Sequence, residues 1–131
     1  MKTILVIEDN AAFRRNILRF LELENFHGIA ASDGFVGLQL AQTKLPDLII
    51  CDLELPEIDG FSILNALRAN PSIAATPFIF LCDNIENCRN QRDGDCRADV
   101  CLSKPIQLKS LSQAITEQLS RKAPTNQLVT P

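Results

Sequence analysis

Four ionisable residues stand at or just beyond the ends of short apolar runs in this sequence. Glu8 and Asp9 follow residues 4–7, Asp52 follows residues 48–51, and Lys104 comes shortly after residues 100–102. If the three carboxylates converge they repel one another, so that either a pKa rises or a cation binds between them. Oxygen ligands suit Mg²⁺ better than zinc. With a lysine beside it, such a site could neutralise a phosphoryl group while a carboxylate oxygen attacks phosphorus.

The apolar runs themselves predict five strands of a parallel β-sheet, because continuous apolar runs suit strands that are covered on both faces. The strands are predicted at residues 4–7, 27–31, 48–51, 78–82 and 100–102. Strand and helix signals alternate five times with short connections. This alternation predicts an α/β fold: a doubly wound, flavodoxin-like sheet of order 2-1-3-4-5 with helices on both faces.

The predicted helices lie between and after these strands. Asn10 can cap the first helix, residues 32–34 open the second, and the third covers residues 61–69. The fourth, within residues 83–97, is polar almost throughout and contains Gly94, which weakens it. In the second helix the residues available for burial are Val36, Leu38, Leu40 and Ala41. In the last helix they are Leu108, Leu111, Ala114, Ile115 and Leu119.

Ligands bind doubly wound sheets beyond the carboxyl ends of the strands. The four ionisable residues should therefore meet at one edge, joined by Cys82 and Asp83 from the fourth strand. No Gly-rich nucleotide loop is present. The lone His27 lies at the opposite end of its strand, so a hydrolase triad is implausible and we assign His27 no role.

Composition narrows the classes of function. A length of 131 residues is one domain, and a net charge of −3 argues against a nucleic-acid surface. No apolar run is long enough for a membrane span or a signal peptide. The five cysteines form no C-x-x-C pair, which makes a zinc site implausible and favours reduced, mostly buried thiols in a cytoplasmic protein.

The ordered set of residues at the strand ends resembles the CheY-like receiver domain of two-component response regulators. The resemblance rests on Glu8-Asp9, on the D-L-E-L-P-E-I-D-G loop of residues 52–60, and on Ser103-Lys104-Pro105. It covers about residues 3–120. It implies a receiver domain at residues 1–121, followed by a tail or the start of a linker at residues 122–131.

The resemblance also implies a role for each matching residue. Asp52 would accept a phosphoryl group, and Lys104 would contact the phosphoryl oxygens. Mg²⁺ would be held by Glu8, Asp9, Asp52 and the backbone carbonyl of Glu54. The loops at the site would be shaped by Pro56, Gly60 and Pro105, the last through a cis bond after Lys104.

The implied partners are a histidine kinase or phosphotransfer protein and, on the output side, another domain or a partner protein. The output surface would be the predicted fourth helix, the fifth strand and the last helix. We expect no nucleic acid or membrane contact by this domain, leave a homodimer open, and expect no enzymatic activity beyond self-phosphorylation and self-dephosphorylation.

The sequence departs from the family at the positions that transmit the signal. Cys82 replaces the Thr or Ser that ends the fourth strand, Cys101 replaces an aromatic residue on the fifth, and the predicted fourth helix has little apolar face. We therefore expect phosphorylation to order or shift that helix without the usual Thr/Tyr couple. The alternative is a degenerate receiver that acts as an interaction module with altered or phosphorylation-independent switching.

A weaker hypothesis is redox control through a Cys82–Cys101 disulfide. A metal-dependent phosphatase is disfavoured because the D-x-D motif is missing.

Overall fold

The fold is described from a computed structural model, which covers residues 1–84, 86 and 99–128, with side chains as far as Arg121. Five strands form one parallel sheet of order β2-β1-β3-β4-β5. They are β1 (Thr3–Ile7), β2 (His27–Ala31), β3 (Leu48–Asp52), β4 (Phe78–Cys82) and β5 (Val100–Ser103). The predicted fold class and strand order are confirmed.

Four helices flank the sheet in the described residues. They are α1 (Ala11–Leu23), α2 (Gly34–Lys44), α3 (Gly60–Arg68) and the C-terminal helix (Leu108–Leu128). Asn10, Asp33 and Asp59 cap the first three, each accepting a hydrogen bond from the backbone N–H three residues later. Most of the segment predicted as the fourth helix lies outside the described residues, including Cys88, Cys96, Arg97 and Ala98.

The side chains of the strands alternate between two hydrophobic clusters, one on each face of the sheet. Ile7, Cys51 and Phe80 belong to the cluster that includes residues of α2 and α3. Val6, Ile50 and Leu81 belong to the cluster that includes residues of α1 and the C-terminal helix. Both faces are thus covered, which explains why the strands are apolar without interruption.

Two expectations about helix burial are wrong. Val36 and Leu108 are exposed, whereas Gly37 and Gln118 are buried. A Cβ on Gly37 would lie 2.6 Å from Ile7 Cδ1, so α2 approaches β1 closely at a glycine. The rest of the prediction for α2 is confirmed, since Ala41 is buried and Leu38 and Leu40 pack against the core. The C-terminal helix also continues to Leu128, beyond the predicted stripe that ends at Leu119.

The start of β4 is tied to β5 and α3 by a polar cluster. Asp99 Oδ2 accepts a hydrogen bond from the N–H of Phe78 at 2.9 Å and lies 3.3 Å from Arg68 Nη2. Arg68 Nη1 donates to the carbonyls of Ala74 and Thr76.

Among the helices of the described residues, none combines the length and apolar character that a membrane span needs.

Candidate functional site at the carboxyl edge of the sheet

The strand register brings the acidic residues to one edge of the sheet. Ile7 pairs with Cys51, so the residues that follow, Glu8 and Asp52, stand side by side where the two strands end. One carboxylate oxygen from each of Glu8, Asp9 and Asp52 lies within 4.8 Å of the others. The structure therefore assembles the three predicted carboxylates, two of them buried and Asp9 exposed.

Glu8 is the most deeply buried acid of this cluster, with 1% of its surface exposed. Its Oε2 accepts a hydrogen bond from the N–H of Asn10 at 3.1 Å, whereas Oε1 accepts none in the described part of the chain. Burial, with Asp52 nearby, raises the pKa of Glu8 to about 7, although the Asn10 N–H and Lys104 lower it in part. The Asn10 N–H and Lys104 therefore compensate only part of the cost of burying this negative charge.

Asp52 and Lys104 form an ion pair at the centre of the site. Lys104 Nζ lies 3.4 Å from Asp52 Oδ1 and 3.5 Å from Glu8 Oε1. Burial raises the pKa of Asp52, an effect that Lys104 opposes but does not cancel. Burial alone would lower the pKa of Lys104, but the carboxylates of Asp52 and Glu8 outweigh it and the pKa is raised. The lysine is thus held in its charged form.

The backbone near Lys104 fixes where its side chain begins. The Lys104 N–H donates to the carbonyl of Cys82 at 2.7 Å, and this bond joins the ends of β4 and β5. The Lys104–Pro105 peptide bond is cis, as the family resemblance implies. Ser103 and Pro105 are exposed on either side of the lysine.

The loop after β3 lies directly beside Asp52. The N–H of Glu54 is 3.4 Å from Asp52 Oδ1, and the Glu54 side chain accepts a hydrogen bond from the N–H of Asp83 at 3.3 Å. The Gly60 N–H donates to the carbonyl of Leu53 at 2.9 Å and closes the loop, while Pro56 is exposed within it. A Cβ on Gly60 would lie 3.0 Å from the carbonyl oxygen of Asp52, so this position needs a glycine for its close approach.

The two cysteines at the signalling positions differ from each other. Cys82 is a free, fully buried thiol whose Sγ donates to the carbonyl of Leu102 at 3.7 Å, and burial raises its pKa. Cys101 is half-buried and disulfide-bonded. The hypothesis of a Cys82–Cys101 disulfide is therefore wrong. These residues occupy adjacent strands, but β4–β5 register pairs Cys101 with Phe80 and Cys82 with Ser103.

Sequence reasoning missed two residues of α1 that contact the site. Arg14 Nη1 donates to the carbonyl of Glu8 at 2.8 Å, and the ring of Phe13 lies 4.9 Å from Lys104 Nζ, measured to the ring centroid. In the sequence, Phe13 stands on the apolar stripe of α1 and Arg14 stands outside it. The available signal was position: the first turn of a helix after a strand lies over the carboxyl edge of the sheet.

The donor set fits a hard divalent cation. All three side chains offer carboxylate oxygens, and Glu8 Oε1 is a buried oxygen that accepts no hydrogen bond within the described residues. Hard cations such as Mg²⁺ prefer oxygen ligands of this kind. A lysine beside the same carboxylates adds a second positive charge. The arrangement can therefore bind a metal ion and an anionic group on one side of Asp52.

Comparison with known proteins agrees with this geometry. The family model of the response regulator receiver domain matches residues 4–116. The chain belongs to the response regulator receiver family. The receiver is 30% identical over 124 residues to the polar-differentiation response regulator DivK of Brucella anthropi, with 90% of this chain and 96% of DivK covered.

Longer relatives and a solved structure extend the comparison. The receiver is 34% identical over 125 residues to the KDP operon transcriptional regulatory protein KdpE of Escherichia coli, covering 95% of this chain and 54% of KdpE. It spans about half the length of several curated relatives that it matches. A response regulator receiver domain protein from Clostridium thermocellum superimposes with a TM-score of 0.82 at 26% identity, covering 94% of this chain and 98% of the other.

Proposed function

We propose that this receiver accepts a phosphoryl group on Asp52 from a histidine kinase or phosphotransfer protein in a Mg²⁺-dependent reaction. One observation carries the proposal: a buried carboxylate stands between an acidic cluster and a lysine at the carboxyl edge of the sheet. The acidic cluster suits a cation, and the lysine suits phosphoryl oxygens. Glu8 has the same two neighbours, but Asp52 is the carboxylate that opens the D-L-E-L-P-E-I-D-G loop by which the chain resembles receivers.

In the proposed reaction an Oδ atom of Asp52 attacks phosphorus. A new P–O bond forms as the P–N bond of a phosphohistidine breaks, and the imidazole nitrogen keeps the electron pair. Lys104 lies within 3.4 Å of Asp52 Oδ1 and can move its charge to the phosphoryl oxygens as they arrive. Water attack on the same phosphorus would break the new P–O bond, release phosphate and restore the Asp52 carboxylate. The proposed activity is limited to this self-phosphorylation and self-dephosphorylation.

The metal ion would be held by Glu8, Asp9, Asp52 and the backbone carbonyl of Glu54. When bound, Mg²⁺ supplies positive charge that offsets both the carboxylates and the transferring phosphoryl group. Glu8 contributes a buried oxygen that accepts no hydrogen bond from the residues that the structure describes, and Asp9 contributes an exposed carboxylate. The exposed side of the cluster leaves an entry path from solvent.

A second candidate function is that of an interaction module whose phosphorylation switch is altered or lost. It is favoured by Cys82, because the thiol is a weak donor and already bonds to the Leu102 carbonyl. Under either function, the output is a further domain of the same polypeptide or a separate partner protein. The surface around β5 and the C-terminal helix is the part proposed to change.

Acetyl phosphate with Mg²⁺ distinguishes the two candidates by intact mass spectrometry. We expect one phosphoryl adduct on the wild type, none on Asp52→Asn, and an unchanged adduct on Asp83→Asn. Asp83 is the matched control because it is an exposed aspartate at the same edge of the sheet. An unmodified wild type, or an adduct that persists in Asp52→Asn, would refute phosphorylation at Asp52.

A further inference from the structure

We infer that Phe13 is a positioning residue for Lys104: the face of its ring holds the ammonium group between Asp52 and Glu8 through a cation–π contact. Lys104 Nζ lies 4.9 Å from the ring centroid, within the distance of about 6 Å over which such contacts act. The inference deepens the proposed function, since Lys104 is the group proposed to meet the phosphoryl oxygens.

The ion-pair distances show why a third contact matters. Lys104 Nζ is 3.4 Å from Asp52 Oδ1 and 3.5 Å from Glu8 Oε1. Charge-assisted hydrogen bonds between an ammonium group and a carboxylate are usually about 2.7–2.9 Å long. The two carboxylates therefore attract the lysine without fixing it closely. The ring of Phe13 supplies a further attractive surface for the same charge.

Phe13 stands on a rigid element. Its backbone N–H donates to Asn10 Oδ1 at 2.9 Å in the cap of α1, and its half-buried side chain packs against the core cluster that contains Ile17. The next residue, Arg14, donates to the carbonyl of Glu8 and fastens the same turn to the end of β1. Hydrogen bonds of Phe13 and of its neighbour Arg14 consequently fix the turn of α1 that carries the ring.

Lys104 is held at its backbone but not along its side chain. The Lys104 N–H bonds to the Cys82 carbonyl, and 24% of the side chain remains exposed. Long lysine side chains have many rotamers and strongly hydrated heads, so a partly exposed ammonium group can move toward water. The aromatic face opposes this movement, because its quadrupole attracts a cation. An aliphatic side chain would fill the space without that attraction.

The test compares aromatic and aliphatic side chains at position 13. Phe13→Leu removes the ring, Phe13→Tyr retains it, and a trifluorinated phenylalanine at position 13 keeps the shape while weakening the quadrupole. Phe20→Leu is the matched control, since Phe20 is another half-buried phenylalanine of α1 in the same cluster. The first readout is the initial rate of phosphorylation by acetyl phosphate with Mg²⁺ in excess.

We expect Phe13→Leu to slow phosphorylation by about 3- to 30-fold, the fluorinated ring to slow it less, and Phe13→Tyr to restore it. Phe20→Leu should lose stability without a comparable loss of rate. Equal rates in wild type and Phe13→Leu, or equal losses in Phe13→Leu and Phe13→Tyr, would overturn the inference. If Phe13→Leu does not fold, the fluorinated variant provides the test, and a phosphorylation rate equal to that of the wild type would contradict the inference.

A second readout does not depend on phosphorylation. Aromatic ring currents should shift the ε-CH₂ protons of Lys104 upfield in the NMR spectrum, with the signal assigned by its loss in Lys104→Ala. We expect the shift in wild type and Phe13→Tyr and not in Phe13→Leu. An unshifted wild-type signal refutes the positioning of Lys104 by Phe13. A shifted signal in a protein that acetyl phosphate never modifies refutes the proposed function and leaves the contact standing.

Discussion

Glu8 is an ionisable carboxylate in the most buried position of the acidic cluster, where a negative charge is costly. Its side chain is 1% exposed, and one of its two carboxylate oxygens accepts no hydrogen bond in the described part of the chain. The pKa is raised to about 7 in the folded protein, from an ordinary value of 4.5. Between these values the folded state binds more protons than the unfolded state, so rising pH lowers stability.

Replacing Glu8 should remove this part of the pH dependence in protein freed of metal with EDTA. The wild type should lose free energy of unfolding relative to Glu8→Gln as the pH rises from about 5 to about 8, by at most about 1.4 kcal/mol per pH unit. Glutamine has nearly the same shape and stays neutral throughout. Urea unfolding at a series of pH values measures the difference.

Glu22→Gln is the control, because Glu22 is an exposed acid on α1. The free energy of unfolding of both variants is compared with that of the wild type at each pH. A difference between Glu8→Gln and the wild type that does not change with pH would contradict the raised pKa of Glu8.

At the scale of elements, backbone geometry shapes the site as much as the charged side chains do. The loop after β3 turns back so that the Gly60 N–H meets the Leu53 carbonyl. A Cβ at Gly60 would lie 2.7 Å from the ring of Phe80 and 3.0 Å from two backbone atoms, the Asp52 oxygen and the Leu53 Cα. Backbone atoms cannot turn aside as a side chain can, so the start of α3 needs a glycine.

Gly60→Ala should therefore destabilise the receiver by about 1–3 kcal/mol, the range seen when a packed site is overfilled. Gly28→Ala is the matched control, because its Cβ would meet the end of the Leu18 side chain at 2.9 Å, which can rotate. Urea unfolding of both variants measures the contrast. Equal losses in the two variants would show that the backbone near Asp52 yields as readily as a leucine side chain.

Several elements were predictable from the sequence and others were not. Uninterrupted apolar runs and capping residues such as Asn10 are local signals, and the strands and helix starts that they predict lie within a residue or two of those observed. The burial of α2 was not predictable in this way. Its contact through Gly37 depends on how closely the helix approaches Ile7, which no periodic pattern records.

At the scale of the whole molecule, the sheet buries two thiols between its helical layers. Cys51 lies in β3 and Cys82 in β4, and both are fully buried and free. Burial, together with Asp52 and other nearby carboxylates, raises the pKa of each thiol. Reaction of either thiol requires its exposure as a thiolate, which the intact sheet prevents.

N-ethylmaleimide should therefore leave Cys51 and Cys82 unmodified in the native receiver and label both in denaturant. Cys101 should stay unlabelled until a reductant opens its disulfide, and should then react before the two buried thiols. Peptide mapping by mass spectrometry follows each site. Labelling of Cys82 in native protein at the rate of an exposed cysteine would mean that β4 opens without global unfolding.

The sequence by itself determined the fold class, the order of the strands and the acidic edge that identifies a receiver, because these follow from local patterns and from the rules of parallel sheets. Only the tertiary structure decided that Glu8 is buried with one oxygen that accepts no hydrogen bond in the described part of the chain, that Phe13 lies against Lys104, and that Cys82 bonds to a neighbouring strand. These features depend on distances between segments far apart in the chain. Local propensity does not encode such distances, which arise when packing fixes the helices against the sheet.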